Sequence, residues 1–351
     1  MNINDLAERA GVAPATVSRA LNGYSDISES TRAKILSLAE QLNYRPSSRA
    51  RQLARGRVEA IAFVLPSAAR SMDQLFLSEF LGAMAGALAT RGYDLLFATV
   101  RETETEQEVY KRLIAEGKCA GFILTNSADE DPRIALLQHL NVPFVVYGRA
   151  KTSAPFASID MDNEAAISGL VDHLVALGHQ SFAYIDLQET ASFARLRRSG
   201  FDLGVKRNGL SEASVAIVHA THDPTGGQKA VARLFDGATS HQPTALVCPA
   251  DLVAIGAIQA LSERGFRVGR DVTVTGYDGL PLGAFTSPPL TTMSQPIEEI
   301  GRWLVDTLFK LMSGADPADF QRVLQPTLIR RQSDGSPSNV DRPIPNGSMS
   351  I

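Results

Sequence analysis

The stretch "GVAPATVSRALNG", residues 11–23, decides what kind of N-terminal head this chain carries. Pro14 suits the first turn of a helix, where its missing N–H has no partner to lose. Gly11 closes a preceding helix and Gly23 a following one, because glycine accepts the left-handed conformation of a helix C-terminus. The spacing predicts a helix over about 14–22. Val17, Ala20 and Leu21 fall on its inner face, and Ala15, Thr16, Ser18, Arg19 and Asn22 on its outer face.

The same pattern extends on both sides. Ile3, Leu6 and Ala10 form the apolar stripe of a short first helix, with Asn2 as its cap. Downstream, Ser28 caps a third helix whose stripe is Ile35, Leu38, Ala39 and Leu42. Two helices joined by a three-residue turn, with small residues at the crossing, describe a helix-turn-helix. The second helix of such a unit enters a DNA major groove. Its outer face here is small and hydrogen-bonding, apart from Arg19, which is placed to read guanine. Charge agrees. Residues 1–57 hold nine Lys/Arg against five Asp/Glu, a net of +4, which leaves −8 for the rest of a chain whose formal charge is −4. A basic head on an acidic body is the layout expected when only the head meets a polyanion.

Residues 3–54, "INDLAERAGVAPATVSRALNG…ISESTRAKILSLAEQLNYRPSSRARQLA", resemble without a gap the DNA-binding head of the lactose/galactose repressor family, and "TVSRALN" and "LNYRPS" are highly specific to it. The resemblance implies that Pro14, Ala15 and Arg19 read bases and that Thr16, Ser18, Asn22 and Tyr44 contact the DNA backbone. The basic segment "PSSRARQLARGR" is too short to hold a helix alone in water and by itself reads as a linker. In the family it corresponds to a hinge helix folding against the minor groove. Ala50, Arg51 and Leu53 would face the DNA there, and Leu53 would wedge between base steps.

From Ala60 onward apolar runs alternate with helical patterns. The runs are 60–65, 94–99, 121–125, 144–147, 182–186, 215–218, 245–248 and 272–276, and the helices include 75–91, 107–116, 164–177 and 252–264. This alternation predicts an α/β body of two doubly wound parallel-sheet lobes, which bind ligands at the carboxyl ends of their strands. Polar groups gather at those ends: Arg149 after 144–147, Asp251 after 245–248, Asp278 after 272–276. Arg197 and Asp278 could converge on the vicinal hydroxyls of a sugar, with Phe193 against its apolar face. The same two residues could equally serve a surface pair and a turn.

"VDHLVALGHQSFAYI", "RLRRSGF" and "VTVTGYDGLPLGAFTSPPLTTMSQP" resemble the family's effector-binding core, which is similar to periplasmic sugar-binding proteins. The resemblance covers about residues 3–330. It implies a clamp of Arg197 and Asp278, with Phe76, Gly148, Phe193, Ala250 and Gln295 lining the pocket. Many members carry aspartate at the position of Gly148 and asparagine at that of Ala250, so the polar half of the pocket is reduced here. "YGR" at 147–149 is similar to members answering to α-glucosides. Asp160, Asp162 and Asn163 match a segment crossing between lobes, where helix capping accounts for them.

The expected organisation is a helix-turn-helix domain at 1–46, a hinge at 47–57, a two-lobed body at 58–333 and a disordered tail at 334–351. The tail carries no heptads, and a homodimer is expected through the surface near Leu252–Leu261. The expected partners are a palindromic double-stranded DNA operator and a mono- or disaccharide effector. No cofactor or metal is expected: Cys119 and Cys248 make no disulfide framework, and the six histidines show no zinc spacing. No apolar run reaches membrane-spanning length and the N-terminus lacks a signal-peptide pattern, which points to the cytoplasm. Nucleophile-elbow, phosphate-loop and dinucleotide glycine motifs are missing, so an enzyme is not expected. The competing class is a sugar-binding protein without a DNA role, which leaves the basic head unexplained.

Overall fold

The computed structural model describes residues 2–44, 58–65, 74–101, 103–187, 191–236 and 242–337. The chain divides after Glu59 into two compact units.

The first unit holds α1 (Ile3–Ala10), α2 (Pro14–Leu21) and α3 (Glu29–Gln41). Asn2 Oδ1 accepts from the backbone of Asn4 at 2.8 Å and Asp5 at 3.2 Å, while the Asp5 carboxylate accepts from Asn2 N at 2.8 Å. This reciprocal cap satisfies N–H groups that the first turn would otherwise leave unpaired. Helix α2 stops one residue earlier than its sequence pattern suggests. Asn22 is its cap, and both its backbone N–H and its Nδ2 turn back to Ser18 O. Leu6, Ala7, Ala10, Val17, Ala20, Ile35 and Ala39 form the core, and the small alanines let the helices cross closely.

The second unit contains β1 (Ala60–Leu65), α4 (Gln74–Ala89), β2 (Asp94–Thr99), α5 (Glu106–Ala115), β3 (Gly121–Leu124), α6 (Pro132–His139), β4 (Phe144–Tyr147) and β5 (Ser158–Met161). Next come α7 (Asn163–Ala176), β6 (Phe182–Leu187), α8 (Ser192–Arg207), β7 (Val215–Ala220), α9 (Pro224–Phe235), β8 (Ala245–Val247), α10 (Asp251–Glu263), β9 (Thr273–Asp278) and β10 (Thr291–Ser294). The last are α11 (Ile297–Met312), β11 (Gln321–Leu324) and β12 (Thr327–Ile329). One sheet has the order β11-β5-β4-β3-β1-β2, all parallel. The other has the order β12-β10-β9-β8-β6-β7, with only β12 antiparallel. Central strands such as β3 are buried along their whole length, because helices cover both faces.

The chain passes between the sheets three times: after β5, after β10, and between β11 and β12. Gln325 Nε2 donates to Asp162 Oδ2 at 2.9 Å and so ties the first crossing to the third. In each lobe the strand order reverses beside the first strand, and that reversal opens a crevice at the carboxyl edge.

One expectation is corrected. The tail does not begin at 334: Ser333 and Asp334 are buried, and Asp334 pairs with His173 Nε2 at 2.7 Å and Arg330 Nε at 3.1 Å. Helix α10 is mostly consumed within its own lobe, with Val253, Ala254, Ala257, Ile258, Ala260 and Leu261 buried. Leu252, Ile255 and Gln259 remain on its outer face.

Candidate functional site

The carboxyl edges of the two sheets flank a partly open cavity whose empty space, open solvent included, is about 570 Å³. Arg197, on α8, is its main cationic group and is 5% exposed. Its Nε donates to Asn163 Oδ1 at 2.9 Å, Nη1 to Pro249 O at 2.5 Å, and Nη2 to Asp278 Oδ1 at 3.4 Å. The guanidinium carbon lies 3.6 Å from the Tyr277 ring centroid and 4.8 Å from that of Phe193. Burial alone would lower the Arg197 pKa, but the Asp278 carboxylate and nearby tyrosines hold it above the ordinary value.

Asp278 ends β9 with φ at +121°, a conformation an aspartate adopts only at a cost of about 1–3 kcal/mol. Its Oδ1 accepts from Gln295 Nε2 at 2.8 Å, a firmer bond than the one from Arg197. Gln295 Oε1 in turn accepts from the Tyr147 hydroxyl of the first lobe. Burial pushes the Tyr147 phenol well up, so it stays a donor. A chain of hydrogen bonds therefore runs from one lobe, through a crossing strand, to the other.

The loop carrying Asp278 is fixed from below. Asp251 is fully buried and accepts from Leu280 N at 2.7 Å and Thr292 Oγ1 at 2.6 Å. Burial and the neighbouring Asp278 carboxylate push its own carboxyl well above the usual range. In the first lobe, Arg133 plays the corresponding part. It bonds both Asp131 oxygens, Glu106 and the carbonyls of Thr125 and Asn126, which line the cavity.

Phe76, Gly148, Phe193, Arg197, Asp278 and Gln295 all line this cavity. Ala250 does not. It is fully buried in the second-lobe core and forms the N-cap of α10. Gly148 has φ at +126°, and a Cβ there would fall 2.6 Å from Ser127 Oγ. That hydroxyl donates to Arg149 O at 2.9 Å, so a side chain here would strain the backbone and displace Ser127. The sequence reading did not place Thr125, Asn126, Ser127, Tyr147, Asp160, Asn163, Ser192 or His222 in the cavity. The polar triplet Thr125–Ser127 directly after a buried strand was a usable signal.

In the head, Pro14, Ala15 and Arg19 are exposed, while Thr16, Ser18, Asn22 and Tyr44 are half-buried. Arg19 pairs with Asp26 at 2.5 Å. Ala50, Arg51 and Leu53 lie outside the described residues. Among the described residues no cluster of three metal-ligating side chains occurs, and no helix is long and apolar enough to cross a membrane.

Residues 2–47 match the family described as "Bacterial regulatory proteins, lacI family", and residues 171–333 match the periplasmic binding protein-like domain. The chain is 34% identical to the HTH-type transcriptional regulator MalR of Streptomyces coelicolor (strain ATCC BAA-471 / A3(2) / M145), over 97% of this chain and 98% of that one. The chain belongs to the lacI family. Among solved structures it is similar to the lac repressor dimer bound to operator and the anti-inducer ONPF, with 29% identity and a TM-score of 0.84, over 95% of this chain and 99% of that one. It is also similar to a complex of the transcriptional regulator CelR with cellobiose, with 26% identity and a TM-score of 0.69, over 95% and 99%. As a member of the lacI family it is a DNA-binding transcriptional regulator with an effector-binding body.

Proposed function

We propose that this lacI-family protein represses carbohydrate-utilisation genes and that a neutral mono- or disaccharide, in the class of α-glucosides, controls its affinity for a palindromic operator. It works as a cytoplasmic homodimer. The domain at 1–46 reads the operator, with Arg19 on a guanine and Pro14 and Ala15 in apolar contact. The hinge at 47–57 enters the minor groove through Ala50, Arg51 and Leu53. The body from residue 58 binds the effector.

The observation that carries the effector reading is the buried Arg197–Asp278 pair facing a cavity that Phe76 and Phe193 also line. Arginine only donates and ionised aspartate only accepts, so together they match both roles of adjacent hydroxyls. The aromatic rings suit the apolar face of a sugar. CelR with cellobiose and the operator-bound lac repressor are precedents within similar folds.

The test combines calorimetry and gel shift. A saccharide that binds the wild type and changes its mobility on palindromic DNA should bind Arg197→Ala at least tenfold more weakly. Indifference of every saccharide to Arg197→Ala would move the effector elsewhere.

A further inference from the structure

The first lobe contributes an arginine–carboxylate pair of its own. Asp160, on β5, lines the cavity with a side chain only 8% exposed. Arg149 Nε reaches its Oδ2 at 2.5 Å, while the Arg149 side chain itself remains 38% exposed at the rim. A carboxylate offers about four acceptor positions, and this bond and one from the Met161 backbone take two. Burial raises the Asp160 carboxyl above its ordinary range even though Arg149 opposes the shift. Arg149, the Met161 backbone and the more distant Arg197 together leave it undercompensated, and further hydroxyl donors would stabilise its charged form.

Asp160 is also the one carboxylate that the first lobe adds to the cavity wall among the described residues. The end of β4 supplies none, since residue 148 is glycine. The wall then carries two aspartates, Asp160 and Asp278, one per lobe, each already facing one arginine. Arg149 also lies 4.0 Å from Glu164, so the two arginines carry no surplus positive charge. An anionic ligand would add a further negative charge with no spare cation to meet it, whereas a neutral polyol would donate hydroxyls to both carboxylates.

We propose that Asp160, oriented by Arg149, contacts the effector from the first lobe, and that the two arginine–aspartate pairs together select a neutral polyol over an anionic sugar. Asp160 is the ligand-contacting residue and Arg149 a positioning residue. The proposal rests on the reading of this cavity as the effector site.

The full-length protein would be titrated calorimetrically with maltose, melibiose, cellobiose and raffinose, and with glucose 6-phosphate and glucuronate. The tightest neutral saccharide would then be carried to Asp160→Asn, Arg149→Lys and Arg197→Ala, each checked by thermal melting. Asp160→Asn should weaken it at least tenfold and narrow the gap to the anionic sugars. In the wild type, affinity should fall as pH drops through the raised Asp160 pKa. That acid limb should vanish in Asp160→Asn and move to higher pH in Arg149→Lys. The half-exposed Arg149 site keeps this readout usable if Asp160→Asn melts early. Unchanged affinity and an unmoved limb, with binding still lost in Arg197→Ala, would overturn the role of Asp160 and leave the cavity reading intact. Tighter binding of glucose 6-phosphate or glucuronate than of any neutral saccharide would overturn the selectivity. No binding of any of the six would overturn both the proposal and the cavity reading.

Discussion

Arg19 meets Asp26 at 2.5 Å and lies 5.1 Å from the Tyr24 ring centroid, with both charged side chains about half exposed. An exposed pair of this kind contributes about 0–1 kcal/mol, while a bidentate guanine contact discriminates by about 1–3 kcal/mol. A guanine therefore outcompetes Asp26, but a phosphate alone gains little. Arg19→Ala should cost about 1–3 kcal/mol on operator and much less on random DNA, measured by gel shift. Asp26→Asn should raise affinity for both sequences, because a negative charge leaves the DNA-facing side; lower affinity would mean that Asp26 aims Arg19 rather than restrains it. At this scale the sequence was only partly readable. Arg197 and Asp278 stood out because their types suit vicinal hydroxyls. Asp160 and Asn163 did not, since a crossing segment beside a helix start explains acids and amides by capping alone. Only the third dimension turns Asn163 toward Arg197 at 2.9 Å. Ala250 packs into the core instead, because a strand end marks a site's edge without saying which residues the core absorbs.

The long strands and helices were legible because their periodicity is local: the six-residue β1 and β2 fall where the apolar runs lie. Strands β5, β10, β11 and β12 are three or four residues each and exist through distant partners, as β11 does by lying against β5. The elements also show where stability is concentrated. Arg133, at 5% exposure, holds Asp131 and Glu106 and clamps the loop after β3. Arg133→Met would leave buried carboxylates unpaired, and about 3–5 kcal/mol should be lost in denaturant unfolding. Saccharide affinity should fall with it, because Thr125 and Asn126 lose their anchor. In the C-terminal segment, burial works against the Asp334 carboxylate, yet bonds from His173, Thr291 and Arg330 hold its pKa below the ordinary value. Its stabilisation is present above the unfolded aspartate pKa and is lost as pH falls through the lower folded value. Asp334→Asn should therefore lower the denaturant midpoint at pH 7 and flatten its decline between about pH 5 and pH 2.

At the scale of the molecule, the head has its own helix caps and core, and the body has two sheets that complete each other. Residues 58–351 alone should melt cooperatively and bind saccharide as the full chain does while losing the operator; retained operator binding would displace DNA recognition from the head. On the proposed function, coupling must be reciprocal: a saccharide that weakens operator binding tenfold must itself bind the operator complex tenfold more weakly, which calorimetry with and without DNA would measure. The three passages between the sheets also have a consequence for synthesis on the ribosome. The first sheet begins at Ala60, yet its edge strand β11 and its covering helix α11 come after Ser294, at the far end of the chain. At about 5–20 residues per second, β1 waits on the order of 12–50 s for α11 to emerge. Through much of that interval the nascent first lobe exposes the apolar surface of Phe80, Ile123 and Val145, on the elements that α11 later covers. Its yield in the cell should therefore depend on chaperones that shield early strands far more than the stability of the finished body would suggest.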